Sequence, residues 1–421
     1  MLKLESAVRP GVIFVVPLLV SAAAWAVPGE STFLRGFSQR TQFTAGGLII
    51  LVAWYCLCFI VFSTGMKVGR SVTPLKLISS LESTSRYEVT FLRILTILAT
   101  VGVAYSLFLA QQQGSILAAL AQNSGNDLSE PLKDGAGLAT TRYTTVIAAP
   151  FAIALWLRKR SPLGVAVWNV ALLFTSSLFS SRMSLVMAVV LFGFLYSHDN
   201  PGARIKLSRV AGAGLVVFCL LGVLNFFRNA KYYVVYGVDN PLLMNCYQIL
   251  SYLGAPFQVS EGVAGSIFQG TFPDRGDFVR SLQILIPTFF QDKNAGSVIG
   301  SDSLYANQVD VAGNLTTNSA FADMYNTVGT WGLLWSLIAV LVAGMIYGHC
   351  KQYKSGMVLG AGLALYLLAE YWRIFLFNQG IVVYLFLIIF ISAFVSVWAT
   401  SARLEYETHS QPRRKSVLLR R

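Results

Sequence analysis

The feature that most constrains this chain is a succession of continuous apolar runs, each close to the length of a helix that crosses a bilayer. Ten can be placed, at residues 11–27, 45–62, 89–110, 144–157, 163–179, 183–196, 210–227, 328–347, 358–377 and 381–399. A hydrocarbon layer about 30 Å thick takes roughly 20 helical residues, and only helices or closed barrels satisfy their backbone groups inside it. A barrel would show short alternating segments, whereas these runs are unbroken. The expected class is therefore an all-α polytopic integral membrane protein with about 10 transmembrane helices. Composition agrees: 55% of the 421 residues are hydrophobic and 12% are charged, against about 25% charged in a soluble domain.

The net charge of +13 raises the question of nucleic acid, but the charges lie in loops between the runs. Placing the N-terminus in the cytoplasm gives that face 21 basic and six acidic residues, and leaves 11 basic and 13 acidic residues outside. Every short loop agrees with this asymmetry, the sign of cytoplasmic loops, so both termini are expected inside. Pro28-Gly29-Glu30 ends the first run without a cleavage-site pattern, which predicts an uncleaved first helix. The five cysteines show no CxxC or metal spacing, so neither a disulfide nor a zinc site is expected.

The outer loops are unequal. Residues 28–44 are short, 111–141 are Gly- and Asn-rich, and 228–326 form one large insert. This divides the chain into helices 1–7 (1–227), the insert (228–326), helices 8–10 (327–400) and a basic tail (401–421). Within the insert, Leu242–Val263 is apolar but broken by Gly254 and Pro256, and Phe278–Phe290 is amphipathic. Both are expected as helices lying on or dipping into the outer interface. An extra pair of short spans, giving 11–12, is the alternative and preserves the orientation.

The outer face is where basic residues are scarce, yet Arg142, Arg182, Arg228, Lys231, Arg275, Arg280 and Arg373 fall there. An arginine held near hydrocarbon costs roughly 2.5–3.5 kcal/mol, so each calls for a partner. That partner is a carboxylate, as Glu370 three residues before Arg373 could supply, or a phosphate, which arginine grips with two parallel bonds. Arg182 sits in the three-residue turn Ser180-Ser181-Arg182 and cannot leave the membrane surface. Among outer carboxylates, Asp323 stands out by position. Phe321, Met324, Tyr325 and Val328 suit one helical face, with Asn318 or Ser319 as N-cap, which leaves Asp323 off that face, one turn before a span. It is either a general base for a hydroxyl or an acid favoured by the helix dipole. The three histidines all fall on the cytoplasmic side, so an outer reaction would lack a histidine base.

These features together resemble the Wzy-type polysaccharide polymerases, the O-antigen or exopolysaccharide polymerases of bacterial inner membranes. The resemblance lies in the span arrangement with one large late insert, in the small-small-Arg turn of SSRMSL (180–185), and in ILIPTFF (284–290) followed by NLTTNSAFADMYNTVGTWG (314–332). The last carries an acid–Tyr–Gly-x-x-Gly pattern at Asp323, Tyr325, Gly329 and Gly332, with Met324 between acid and tyrosine. The resemblance implies a GT-C-like fold and transfer of a growing glycan from undecaprenyl pyrophosphate onto a new lipid-linked repeat unit at the periplasmic face. It implies no cofactor or metal, no nucleic acid, and a chain-length regulator as a partner beside the lipid bilayer. Asp323, Arg182 and Arg280 are the expected catalytic residues; Arg142, Arg228, Lys231, Arg275, Arg373 and Tyr325 are the expected substrate-binding ones.

An O-antigen ligase shares the donor, but such ligases resemble one another in a periplasmic-loop histidine that this chain lacks. A lipid-linked oligosaccharide flippase would show repeats and charges at mid-membrane. Here the charges gather at span ends.

Overall fold

The computed structural model describes residues 2–27, 36–37, 39–113, 137–179, 183–272, 274, 276–287, 309 and 319–410. Among them, eleven long helices carry the fold. They are α1 (Pro10–Ala26), α2 (Ala45–Ser71), α3 (Ser85–Gln113), α4 (Thr145–Leu157), α5 (Leu163–Phe179), α6 (Met183–Asp199), α7 (Leu207–Val234), α8 (Pro241–Phe268), α9 (Ala320–Cys350), α10 (Val358–Glu370) and α11 (Gly380–Ser410). Ten stand at the ten apolar runs; α8 comes from the large insert. Five segments are long and apolar enough to cross a membrane: Ala45–Ser71, Ser85–Gln112, Leu138–Leu157, Ala320–Cys350 and Gly380–Arg403. Shorter apolar helices fill the other five positions. The described residues are predominantly helical, as in an all-α membrane-embedded protein.

The core forms around α10. Its side chains from Val358 to Leu368 are all buried, wrapped by α6, α9, α11 and α1. A helix apolar on every side needs cover on every side, and here protein supplies it. At about 1.5 Å per residue, α10 falls short of a layer about 30 Å thick. Protein surrounds it, so bilayer thickness does not set its length.

The closest helix pair is α2 with α9, and glycines make it possible. Gly65 and Gly69 of α2 lie on the carbonyls of Leu341 and Met345, while Gly344 and Gly348 of α9 lie on those of Phe62 and Met66. Each helix therefore carries a Gly-x-x-x-Gly face pressed against the other's backbone. In lipid, where the hydrophobic effect does not separate helix from tail, such close backbone contact drives association.

The basic loops gather at one end of the bundle. Arg158 pairs with Glu88 and Asp199, and Arg160 pairs with the same Glu88. These groups, with Glu82 and Lys354, line a cavity of about 610 Å³. At this basic end Leu2–Lys3 pairs antiparallel with Arg204–Ile205, tying the N-terminal segment to the α6–α7 connection.

The insert departs from expectation in three places. The helix before it does not end at 227, because α7 runs on to Val234 and carries Arg228 and Lys231. The segment expected to break at Gly254 and Pro256 is one helix of 28 residues, α8. The backbone of Ala24 and Trp25 comes within 3.4–3.5 Å of where a Gly254 side chain would start, so this glycine provides close packing instead of a break. Of the amphipathic stretch 278–290, the described part forms only a helical turn, Phe278–Ser281, and a 3-10 turn, Leu282–Leu285.

Candidate functional site

At the end opposite the basic loops, α9 begins with Ser319 as its N-cap, the side chain accepting from the Ala322 N–H at 3.1 Å. The same hydroxyl accepts from Ser260 of α8 at 2.8 Å. Phe321, Met324, Tyr325 and Val328 are buried, as the apolar spacing predicts, and Asp323 is half-buried on the other side of the first turn. The helix then kinks. Val328 (φ −146°, ψ 21°) and Gly329 (φ 61°, ψ −147°) leave helical geometry, and the second half restarts at Thr330. Its exposed first turn needs a cap, which comes from a distant segment: Asp274 accepts from the Thr330 N–H at 3.2 Å and its hydroxyl at 2.7 Å. A positive φ and the approach of Asp274 together restrict position 329 to glycine.

Two polar side chains one turn apart on α8 hold the segment before α2. Gln258 is fully buried. Its oxygen accepts from Trp25 Nε1 at 2.5 Å and from the Thr41 N–H at 3.1 Å; its nitrogen donates to the carbonyls of Gln39 at 2.7 Å and Val309 at 2.8 Å. Glu261, also fully buried, accepts from the Thr44 N–H at 2.9 Å through Oε1, while its Oε2 has no hydrogen-bond partner. Thr44 in turn caps α2 by accepting from the Gly47 N–H at 3.0 Å. In the sequence Glu261 is one of several outer carboxylates and Gln258 an ordinary amide. The signal that marks them is a Gln and a Glu three apart among the small and apolar residues of the second half of α8.

Beside this cluster an apolar groove of about 530 Å³ runs between α1, α2 and α8. Its walls extend along α2 from Leu48 to Ile60, about 18 Å at 1.5 Å per residue. Val15, Leu19, Val52 and Ile60 on its rim are exposed, so the groove opens sideways, away from the bundle. Ser260 and Trp372 also line it. The turn holding Trp372 is anchored by Tyr371, which donates to Ser336 Oγ at 2.9 Å. The next residue, Arg373, pairs with Glu370 and lies 6.0 Å from the Tyr252 ring centroid.

The expected site residues meet different fates. Arg182 and Arg275 lie outside the described residues, as do the side chains of Arg228 and Arg280. Arg373 has the carboxylate partner that its spacing from Glu370 suggested. Arg142 does not stand at the outer end of a span with its head free. It is buried in the 3-10 turn Leu138–Thr144, donating to Ala139 O at 2.9 Å and Tyr143 Oη at 3.0 Å, 4.6 Å from the Tyr143 ring centroid. No carboxylate pairs with it among the described residues, and its Nε has no partner. Lys231 is exposed in the last turn of α7, where the helix dipole favours a cation. Tyr325 is buried, its ring 5.7 Å from Phe272. The structure therefore places Asp323 and Tyr325 on the first turns of α9, joins their N-cap Ser319 to Ser260 of α8, and ties Arg142 to its own turn instead.

No protein-family model, curated protein or solved structure matches the chain.

Proposed function

We propose that this chain is a membrane glycosyltransferase of the repeat-unit polymerase type, moving a glycan from an isoprenoid pyrophosphate onto a second lipid-linked unit. The face used is the one opposite the basic end, read from the charge asymmetry as the outer side and, on the resemblance, as the periplasmic side of a bacterial inner membrane. The observation that carries this reading is the groove between α1, α2 and α8. It is long, apolar and open at the side, and it has Ser260 and Trp372 on its wall, with Arg373 the next residue in the chain. A hydrocarbon chain lying in it would bring a charged headgroup toward the polar cluster at the start of α9.

The chemistry follows from the groups to hand. The acceptor hydroxyl oxygen bonds to the anomeric carbon of the donor while the bond from that carbon to the pyrophosphate oxygen breaks. The pyrophosphate leaves with the bonding pair, and a carboxylate takes the hydroxyl proton. Asp323 is the candidate base. Arg373, oriented by Glu370, is a candidate for the charge that grows on the leaving group, together with Arg182 and Arg280. Arg228, Lys231, Arg275 and Tyr325 are assigned to holding the two glycans.

The test uses purified protein in vesicles supplied with an undecaprenyl-pyrophosphate-linked repeat unit. A ladder of lengthened glycans is expected from the wild type. Val52→Trp, which fills the groove from its exposed rim, and Asp323→Asn should each remove the ladder while the thermal unfolding midpoint holds. A ladder unchanged by both substitutions refutes the proposal. In cells, loss of a polymerase leaves single-repeat glycans at the surface, whereas loss of a flippase leaves none.

A further inference from the structure

At the basic end, the ion-pair cavity around Glu88 is internally balanced: three acids, Glu82, Glu88 and Asp199, meet three bases, Arg158, Arg160 and Lys354. A neighbouring cavity of about 390 Å³ is not. It lies among the start of α1 and the ends of α2, α6 and α9, and Arg9, Arg70 and Lys351 line it against a single acid, Glu5. None of these three cations is within ion-pair distance of an acid among the described residues. Arg70 reaches only the Met66 sulfur, at 3.4 Å, and Lys351 only the Tyr347 hydroxyl, also at 3.4 Å. Burial, reinforced by the charge of Arg70, holds the Lys351 ammonium below its ordinary pKa.

Helix dipoles explain part of this. Arg70 is in the last turn of α2 and Lys351 caps the end of α9, where cations are favoured. Arg9 is the opposite case, a cation at the N-cap of α1, where the dipole repels it and attracts anions. Three cations crowded at helix ends, one of them against the local dipole, form a site short of negative charge. Phe194 and Tyr347 in the cavity wall are buried, but Val12 beside Arg9 on α1 and Val68 beside Arg70 on α2 are exposed, so the charge lies at the edge of the lipid-facing surface. We propose that this cavity binds the phosphate of an anionic lipid headgroup, gripped by Arg9, Arg70 and Lys351. Basic pockets between membrane helices on the cytoplasmic side take such headgroups, and guanidinium forks match phosphate oxygens. The inference needs only the membrane embedding of the chain, not its proposed transferase activity.

The test is native mass spectrometry of the full-length protein in detergent, titrated with phosphatidylglycerol or phosphatidylcholine. The wild type should retain phosphatidylglycerol over phosphatidylcholine. Arg70→Gln and Lys351→Gln should each weaken retention about tenfold, the equivalent of one charged hydrogen bond. Arg70→Lys should retain most of it, and Glu5→Gln, which removes the competing acid, should tighten it. Lys67→Gln, on α2 outside the cavity, is the control. A thermal unfolding midpoint taken without added lipid identifies any variant that has lost its fold, and Glu5→Gln remains informative even if the cation variants do. Displacement of phosphatidylglycerol by millimolar inorganic phosphate supports the phosphate site with a soluble source. Equal retention of both lipids, or equal losses in Lys67→Gln and Lys351→Gln, overturns the proposal.

Discussion

Gly329→Ala is the substitution whose cost can be worked most directly from the structure. Gly329 sits at φ 61°, ψ −147°, the hinge between the two halves of α9. A side chain there incurs two separate penalties. The backbone conformation belongs to a region nearly closed to L-residues, worth about 1–3 kcal/mol. The new methyl would also fall on the Asp274 carboxylate and 2.8 Å from the Gly276 nitrogen. Driving Asp274 away removes the cap on Thr330, worth about 1 kcal/mol. The expected loss is thus roughly 2–4 kcal/mol. The assay is thermal or denaturant unfolding of the purified protein in detergent, run as a double-mutant cycle. Asp274→Ala alone should cost only the cap. The double substitution should cost less than the sum of the two, because the collision is gone and only backbone strain remains. Two results would refute the reasoning. One is a Gly329→Ala protein as stable as the wild type; the other is a cycle that adds exactly as independent sites do.

Four further outcomes are expected. Gly344→Ala should destabilise the α2–α9 pair by about 1–3 kcal/mol, because overpacking forces the helices apart. Gly193→Ala, which meets nothing within 4 Å, should be neutral or stabilising by up to about 1 kcal/mol, and unfolding midpoints compare the two. Gln258→Ala leaves the polar groups of Trp25, Thr41, Gln39 and Val309 without their bonds; the buried Val309 carbonyl alone costs about 1–3 kcal/mol if water cannot reach it, and hydrogen exchange at residues 39–44 should quicken. Glu82 is buried at 2% exposure, and burial raises its carboxyl pKa above 4.5, opposed by the backbone N–H groups of Lys354 and Ser355. The folded state then keeps a proton that the unfolded state has lost, so stability from this group falls as pH rises from about its ordinary value through the raised one. Glu82→Gln should therefore raise the unfolding midpoint at pH 7–8, with the gain vanishing below about pH 4.

Much of the architecture was legible in the linear pattern. Hydropathy located ten helices because a run of apolar side chains signals removal from water wherever it goes. Ser319 as the cap of α9, the buried face of Phe321, Met324, Tyr325 and Val328, and the Glu370–Arg373 pair are all local, decided by residues within one turn of each other. The gathering of Arg158, Arg160 and Lys354 at one end was also readable, since charge distribution needs only the count of crossings.

What the fold alone decided is who meets whom. Gly254 and Pro256 read as a break, because an isolated helix loses a backbone bond at proline and rigidity at glycine; packed against α1 and α2, α8 runs through both. Gln258, Glu261 and Asp274 looked like ordinary polar residues until Trp25, Thr41, Thr44 and Thr330 arrived from far along the chain to bond them. Arg142 was expected at a ligand and is instead folded onto Ala139 and Tyr143. Periodicity records which side of a segment leaves water. It carries no record of the partner that takes the water's place, and in a helical membrane protein that partner determines both the sideways groove and the uncompensated cations at the opposite end.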